Sequence, residues 1–246
     1  MLPAIVGHRG ARGEAPENTL SSFERAVIAG VTEIELDVRL SRDDELFVLH
    51  DWNLKRTTGH AGNAHKLPLA STMAHDARQA IPGWPTSCPV PSLQQVVDSC
   101  PGHMRFQFEV KADGKAPLKR TADRLARMIR EQALEQRVVV TSSSYRFLSM
   151  MRQAAAEIHR GYVCQFRRNK PIQSCVDLQC HWLICHHGLV STSLMDHVRR
   201  HDLGISVWTV NDLKEAERLI SLGVNSIITD FPTGFLSHLR SRVARL

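Results

Sequence analysis

The sequence has no apolar run near the roughly eighteen residues that a membrane-spanning helix needs. It also lacks the basic stretch and apolar core of a secretory leader, because Pro3 and His8 interrupt its first residues. These absences predict a soluble, cytoplasmic protein with no stable insertion into a membrane.

Aromatic residues are scarce, at 6% of the chain with only two Tyr, and no basic run is interleaved with them. Such interleaving is typical of single-strand nucleic-acid grooves, so we expect no nucleic-acid partner. The net charge of +6 still favours anionic small molecules. Neither a G-x-G-x-x-G run nor a P-loop follows a predicted strand, which argues against a nucleotide-binding sheet.

The six cysteines include no C-x2–4-C pair of the kind that structural zinc sites use. Cys175, Cys180 and Cys185 are each five residues apart and lie near His181 and His186. A chain of this length does not need disulfides to stabilise its core. We therefore expect free, mostly buried thiols.

Short apolar runs alternate with segments of helical periodicity along the whole chain. Eight β/α units in about 250 residues are typical of a (β/α)8 TIM barrel, and an open doubly wound sheet is the alternative. The predicted strands cover residues 4–8, 33–40, 105–111, 138–142, 158–164, 182–186, 204–209 and 226–229. The predicted helices cover residues 19–29, 92–99, 117–131, 145–155, 171–178, 192–201, 212–221 and 233–244.

The alternation fails once, between residues 52 and 91, where proline and glycine are frequent and periodicity is weak. We interpret residues 1–246 as a single barrel domain in which 52–91 form an inserted loop or small subdomain. Because the insertion follows a strand, we expect it to overhang the carboxyl-terminal mouth of the barrel as a substrate lid.

Charged residues cluster at the ends of two predicted strands. Alternation along a strand directs Glu35 and Asp37 to one face, and likewise Glu109 and Lys111. Three converging carboxylates form a hard-oxygen site suited to Mg²⁺ or Ca²⁺. The alternative is that Glu35, Asp37 and Glu109 only form ion pairs with Lys111 and Arg9.

His8 and His50 each end a predicted extended run and are each followed by a charged residue. Two histidines on opposite sides of a phosphodiester can supply the base and the acid that its cleavage requires. Arg9 offers a planar fork for two phosphate oxygens, and Lys111 adds a point charge.

Glu17 and Asn18 precede the first predicted helix. They are candidate substrate-binding residues at the mouth, and the alternative is that they belong to a capping segment with Asn18 or Thr19 at the N-cap.

The runs GHRGARGEAPENTLSSFERA and EIELDVRLSRDDELFVLHDWNLKRTTG closely resemble the glycerophosphodiester phosphodiesterase family, in its short cytosolic bacterial form. PSLQQVVD, FEVK, VTSSS, SVWTVND and GVNSIITDFP extend the resemblance over the whole chain. It implies a (β/α)8 barrel with a small insertion after the second strand. Gln107 departs from the pattern, because Asn is common there.

Carried over residue by residue, the resemblance implies that His8 and His50 are the acid/base pair. It implies that Glu35, Asp37 and Glu109 are ligands of a divalent metal, Mg²⁺ or Ca²⁺. Arg9 and Lys111 match phosphate-binding positions, Trp208 would line the pocket, and Asn211 falls in the same motif as Trp208.

The expected activity is metal-dependent hydrolysis of small glycerophosphodiesters to sn-glycerol 3-phosphate and an alcohol. Two alternatives remain: a phospholipase D or lyase acting on lysolipids or sphingolipids, and a barrel that binds a phosphoester without turnover. The presence of both histidines and all three carboxylates favours an enzyme.

Overall fold

The computed structural model describes residues 2–113 and 116–243, which contain nine β-strands and ten α-helices. The strands are β1 (Ala4–His8), β2 (Glu33–Leu40), β3 (Leu46–Val48), β4 (Arg105–Val110), β5 (Val138–Ser142), β6 (His159–Cys164), β7 (Trp182–His186), β8 (Gly204–Trp208) and β9 (Ser226–Thr229). The helices are α1 (Leu20–Ala29), α2 (Lys55–Thr58), α3 (Leu69–Met73), α4 (Leu93–Ser99), α5 (Leu118–Glu131), α6 (Tyr145–Ala154), α7 (Pro171–Asp177), α8 (Thr192–Arg200), α9 (Leu213–Leu222) and α10 (Pro232–Val243).

Eight strands form a closed parallel barrel, because β1 pairs with β2 on one side and with β9 on the other. The predicted (β/α)8 barrel is therefore confirmed, and the open doubly wound alternative is wrong. The short strand β3 stands outside the barrel count and pairs antiparallel with the end of β2.

Local sequence signals account for most element boundaries. Five barrel strands have the predicted bounds, and the other three are one residue shorter. Thr19 caps α1, since its hydroxyl accepts a hydrogen bond from the Ser22 amide at 3.3 Å. Gly30 ends α1 with φ 95°, a conformation that glycine adopts without strain. The last helix was predicted to reach residue 244, which lies outside the described residues.

The main apolar core lies between the barrel and its surrounding helices. Inside the barrel, one side is apolar, where Val6, Val163, Ile184 and Ile228 pack together. The other side is polar, since β2 and β4 direct carboxylates and an amide inward. This division gives the barrel interior a charged wall opposite an apolar one.

Residues 52–91 contain α2, α3, two single-turn 3₁₀ helices and irregular chain. They have a small apolar cluster of their own, in which Leu54, Ala64 and Ala77 pack with Phe47 of β3. The insertion is therefore anchored by burial to the end of the β2–β3 hairpin. Its assignment as a lid stays a prediction.

All six cysteines are free, and all but Cys100 are buried, as expected for structural thiols. Within residues 2–113 and 116–243, no helix has the length and apolar character that crossing a bilayer requires.

Candidate active site

A cavity of about 360 Å³ opens where the carboxyl ends of the barrel strands meet. Seven of the ten candidate site residues line it, and they come from strand ends and loops far apart in the chain. The lining consists of His8, Arg9, Arg12, Glu35, His50, Gln107, Glu109, Lys111, Thr141, Val163, Gln165, Ile184, Trp208, Thr209 and Ile228.

Glu35, Asp37 and Glu109 form one acidic cluster, in which a carboxylate oxygen from each lies within 4.8 Å of the others. The register of β2 and β4 produces this convergence, because Asp37 pairs directly with Glu109. Burial and the charges of Asp37 and Glu109 raise the pKa of Glu35 well above its usual range.

Two cations contact this cluster. Lys111 Nζ lies 2.6 Å from a Glu109 oxygen and 2.9 Å from Asp37 Oδ1, and Arg9 Nε lies 3.2 Å from Asp37 Oδ2. Burial opposes ionisation of Asp37, but Lys111 and Arg9 outweigh it and lower its pKa below the usual range. The ion pairs considered as an alternative to a metal site are thus present, and they involve Asp37 and Glu109 rather than Glu35.

The cluster fits a divalent cation better than it fits ion pairing alone. Glu35 Oε1 is buried and has no hydrogen-bond partner among the described residues, whereas Glu35 Oε2 accepts a bond from the Arg9 amide at 3.1 Å. A buried carboxylate oxygen without a partner is costly, and a hard cation would satisfy it. The raised pKa of Glu35 likewise indicates that Lys111 and Arg9 do not offset the charge of all three acidic groups.

His8 ends β1 and is held by a residue that the sequence analysis did not single out. Its Nδ1 lies 2.5 Å from Asp230 Oδ1, which directly follows β9. Asn211 fixes Asp230 in turn, since Asn211 Nδ2 donates to Asp230 Oδ2 at 2.8 Å and Asn211 Oδ1 accepts from the Asp230 amide at 3.0 Å. Burial opposes ionisation of Asp230, but its hydrogen bond with His8 contributes to a lowered pKa.

His50 follows the β2–β3 hairpin and also pairs with a carboxylate. Its Nδ1 lies 2.7 Å from Asp51 Oδ1. Burial lowers the pKa of His50, although the Asp37 charge acts in the opposite direction. Both candidate histidines therefore present Nδ1 to an acid, which leaves Nε2 as the other ring nitrogen for chemistry.

Glu17 and Asn18 contact residues of the site but are not among the residues that line the cavity. Glu17 Oε1 accepts a hydrogen bond from Arg9 Nη1 at 2.8 Å, and Asn18 Nδ2 donates to Asp37 Oδ2 at 2.8 Å. Thr19, not Asn18, occupies the N-cap of α1. Direct contact of Glu17 or Asn18 with substrate stays a prediction.

Trp208 forms part of the cavity wall, and its indole Nε1 donates to the Ile184 carbonyl at 3.3 Å. Gln107 lies deeper in the barrel, where its amide nitrogen donates to Glu33 at 2.6 Å and to Ser206 at 3.2 Å. Gln107, which differs from the Asn common in the family, thus belongs to a polar layer beneath the acidic cluster.

Sequence reasoning missed Asp230 and Arg56. Asp230 lies within the quoted run GVNSIITDFP and directly after a strand, which was the available signal. Arg56 lies near the end of the quoted run EIELDVRLSRDDELFVLHDWNLKRTTG, but nothing local marks it as a partner of Glu17 or Asp51.

The barrel, the paired histidines and the acidic cluster define the class of protein as a (β/α)8-barrel enzyme built for a phosphoester. The sequence model of the glycerophosphoryl diester phosphodiesterase family matches residues 8–233. The chain belongs to this family and is a phosphodiester hydrolase.

Individual relatives agree with this assignment. A glycerophosphodiester phosphodiesterase of Caldanaerobacter subterraneus is 27% identical over 98% of this chain and 99% of the relative. A lysophospholipase D of Rattus norvegicus is 23% identical over 99% of this chain and 88% of the relative. An Oleispira antarctica phosphodiesterase, solved in complex with the product sn-glycerol-3-phosphate, is 25% identical with a TM-score of 0.86, covering 97% of each chain.

Proposed function

We propose that this enzyme hydrolyses small glycerophosphodiesters to sn-glycerol 3-phosphate and an alcohol. The observation that carries the proposal is the placement of two carboxylate-paired histidines, His8 and His50, in the wall of one cavity with a three-carboxylate cluster. The product bound by the Oleispira antarctica phosphodiesterase supports the choice of substrate class.

Glu35, Asp37 and Glu109 would hold a divalent cation, and their oxygen donors suit Mg²⁺ and Ca²⁺ alike. When bound, such a cation offsets negative charge on the phosphate oxygens. Glu35 contributes a buried oxygen that has no hydrogen-bond partner among the described residues and is open to a cation.

Arg9 and Lys111 would bind the phosphate and stabilise the charge that accumulates in the transition state. Both are already fixed by ion pairs, Arg9 with Glu17 and Asp37, and Lys111 with Asp37 and Glu109. Little reorganisation is then needed when substrate enters, which is the condition under which fixed charges contribute most to rate.

The two histidines would divide the proton transfers. Because burial lowers the pKa of His50, its imidazole is neutral near pH 7 and suits the general base. His8, whose ring Asp230 orients through Nδ1, would then be the acid that protonates the departing alcohol.

Hydrolysis of lysolipids by a lysophospholipase D activity is the second candidate. It is supported by the Rattus norvegicus relative and by two exposed aromatic residues that follow barrel strands, Phe166 after β6 and Phe231 after β9. Exposed rings at the mouth could contact an acyl chain.

The cytoplasmic location stays a prediction, which the six free thiols support.

The test is release of sn-glycerol 3-phosphate from glycerophosphocholine by the intact enzyme, after EDTA treatment and after return of Mg²⁺ or Ca²⁺. We expect cation-dependent release that is lost in His50→Gln and kept in His201→Gln, an exposed histidine beyond α8. Lysophosphatidylcholine is assayed in parallel. Absence of release from every diester would refute the proposal, and turnover of the lysolipid alone would favour the second candidate.

A further inference from the structure

Arg56, in helix α2 of the insertion, contacts two carboxylates at once. Its Nε and Nη2 donate to Asp51 at 2.7 and 3.2 Å, and its Nη1 and Nη2 donate to Glu17 at 2.7 and 2.8 Å. Four hydrogen bonds from one guanidinium to two acids use the planar fork that only arginine provides.

Each of these carboxylates also contacts a residue that lines the cavity. The oxygen of Asp51 that lies 2.7 Å from His50 Nδ1 is the one that accepts from Arg56 Nη2. The oxygen of Glu17 that accepts from Arg9 Nη1 at 2.8 Å also accepts from Arg56 Nη2. Arg56 is therefore linked to His50 and to Arg9 through one intervening carboxylate in each case.

In the Arg56–Glu17 pair the carboxylate is more buried than the guanidinium, so loss of the contact would cost the carboxylate more. The Glu17 side chain is only 4% exposed, whereas that of Arg56 is 40% exposed. Burial opposes ionisation of Glu17, but hydrogen bonds from Arg56 and the charge of Arg9 lower its pKa to about 2. Without Arg56, Glu17 would lose two of its donors in a buried place, and Asp51 would be free to rotate away from His50.

We propose that Arg56 is a positioning residue that holds His50 and Arg9 in their working orientations from within the insertion. This inference rests on the proposed function, because His50 and Arg9 receive their roles there. Arg56 orients Asp51, Asp51 Oδ1 accepts a hydrogen bond from Nδ1–H of His50, and Nε2 of His50 is left free to take a proton from the reacting group. The insertion is thereby part of the active-site support.

The first test compares Arg56→Ala and Arg56→Lys with Arg78→Ala. Arg78 is a matched control, because it lies in the same insertion, is 44% exposed and pairs with its near neighbours Asp76, at 2.9 Å, and the Trp84 carbonyl. We expect kcat to fall about a hundredfold in Arg56→Ala, with a smaller rise in KM, since a misplaced proton acceptor slows chemistry more than binding. Arg78→Ala should keep the wild-type rate.

Rescue separates positioning from a general loss of structure. Millimolar methylguanidine should restore part of the kcat of Arg56→Ala and should not affect His50→Gln or Arg78→Ala. Arg56→Lys keeps the charge and cannot bind both carboxylates in pairs, so we expect an intermediate kcat. It also replaces the alanine variant if that variant does not fold. An Arg56→Ala enzyme with the kcat of Arg78→Ala would overturn the proposal.

A second readout needs no activity. In ¹⁵N-histidine-labelled protein, the His50 signals are assigned by their loss in His50→Gln, and the wild type should show neutral His50 protonated on Nδ1. Arg56→Ala should show a mixture of the two tautomers, and an unchanged tautomer would overturn the proposal. If the wild type cleaved no diester while this change still occurred, the proposed function would fail and the positioning role would stand.

Discussion

His8 Nδ1 and Asp230 Oδ1 lie 2.5 Å apart, although the two residues are 222 positions apart in the chain. Barrel closure brings them together, because Gly7 of β1 pairs with Thr229 of β9 and each functional side chain comes one residue later. The seam where the first strand meets the last is thus part of the candidate active site.

Asp230→Asn should lower kcat by about a hundredfold or more, the contribution expected of an oriented acid/base group. An amide N–H can donate a hydrogen bond to Nδ1, which would favour the opposite tautomer of His8 and misplace its exchangeable proton. The measurement is kcat for glycerophosphocholine beside Asp123→Asn, an exposed residue of α5. Equal rates for the two variants would contradict a role for Asp230.

Glu35→Gln should abolish cation binding at the acidic cluster, since it removes a charge and one hard-oxygen ligand while preserving shape. We expect Mg²⁺ or Ca²⁺ to raise the melting temperature of the EDTA-treated wild type and to leave that of Glu35→Gln unchanged. Glu24→Gln, an exposed position on α1, is the control. A cation-induced shift that survives in Glu35→Gln would place the metal elsewhere.

His181 makes a prediction about stability outside the site. Burial lowers its pKa to about 4, with His159 and Arg160 adding to the effect, and its Nδ1 accepts a hydrogen bond from the Arg160 amide at 3.3 Å. Because the folded pKa is below the unfolded value of about 6.5, the unfolded chain binds more protons between these pH values. His181 therefore contributes stability that is present above about pH 6.5 and is lost as the pH falls toward 4.

The check is the free energy of unfolding in urea from pH 7 to pH 4. His181→Asn retains an acceptor for the Arg160 amide without titrating, so its stability should fall less steeply with acid than that of the wild type. His201→Asn, at an exposed position, should follow the wild-type slope. Parallel slopes for wild type and His181→Asn would contradict the prediction.

Much of the fold could be predicted because strand and helix signals are local. The alternation at Glu35 and Asp37 needed only the two-residue period of a strand, and barrel geometry then placed Glu109 beside them. The Thr19 cap and the Gly30 stop are likewise encoded within a few residues of α1.

The supporting contacts could not be predicted in this way. Whether Arg56 reaches Glu17 and Asp51 depends on the path of an irregular insertion, and no period or cap specifies that path. The partner of His8 depends on the register in which β1 meets β9. The sequence therefore indicates candidate side chains for the chemistry, and the tertiary fold determines which residues contact them.

Trp208 should affect the choice of alcohol. Its ring lines the cavity, and an aromatic face attracts a quaternary ammonium group. We expect Trp208→Ala to raise the KM for glycerophosphocholine by roughly threefold or more, while Trp208→Phe keeps most of the affinity. The comparison substrate is a glycerophosphodiester with an uncharged alcohol, for which a KM increase of the same size would argue against contact with the ammonium.

The attacking oxygen is the last point that can be tested, and the candidates are a water molecule and the substrate's own 2-hydroxyl. No Ser, Thr or Cys of the sequence lies in a motif that would activate it as a covalent nucleophile. The 2-hydroxyl is already held near phosphorus, and this proximity favours a cyclic phosphate, with His50 taking the hydroxyl proton and His8 protonating the departing alcohol. A diester whose glycerol moiety lacks the 2-hydroxyl should then bind as a competitive inhibitor and resist cleavage. Inhibition and release of the alcohol are measured on the same sample, and rapid cleavage of the deoxy analogue would assign the attack to water.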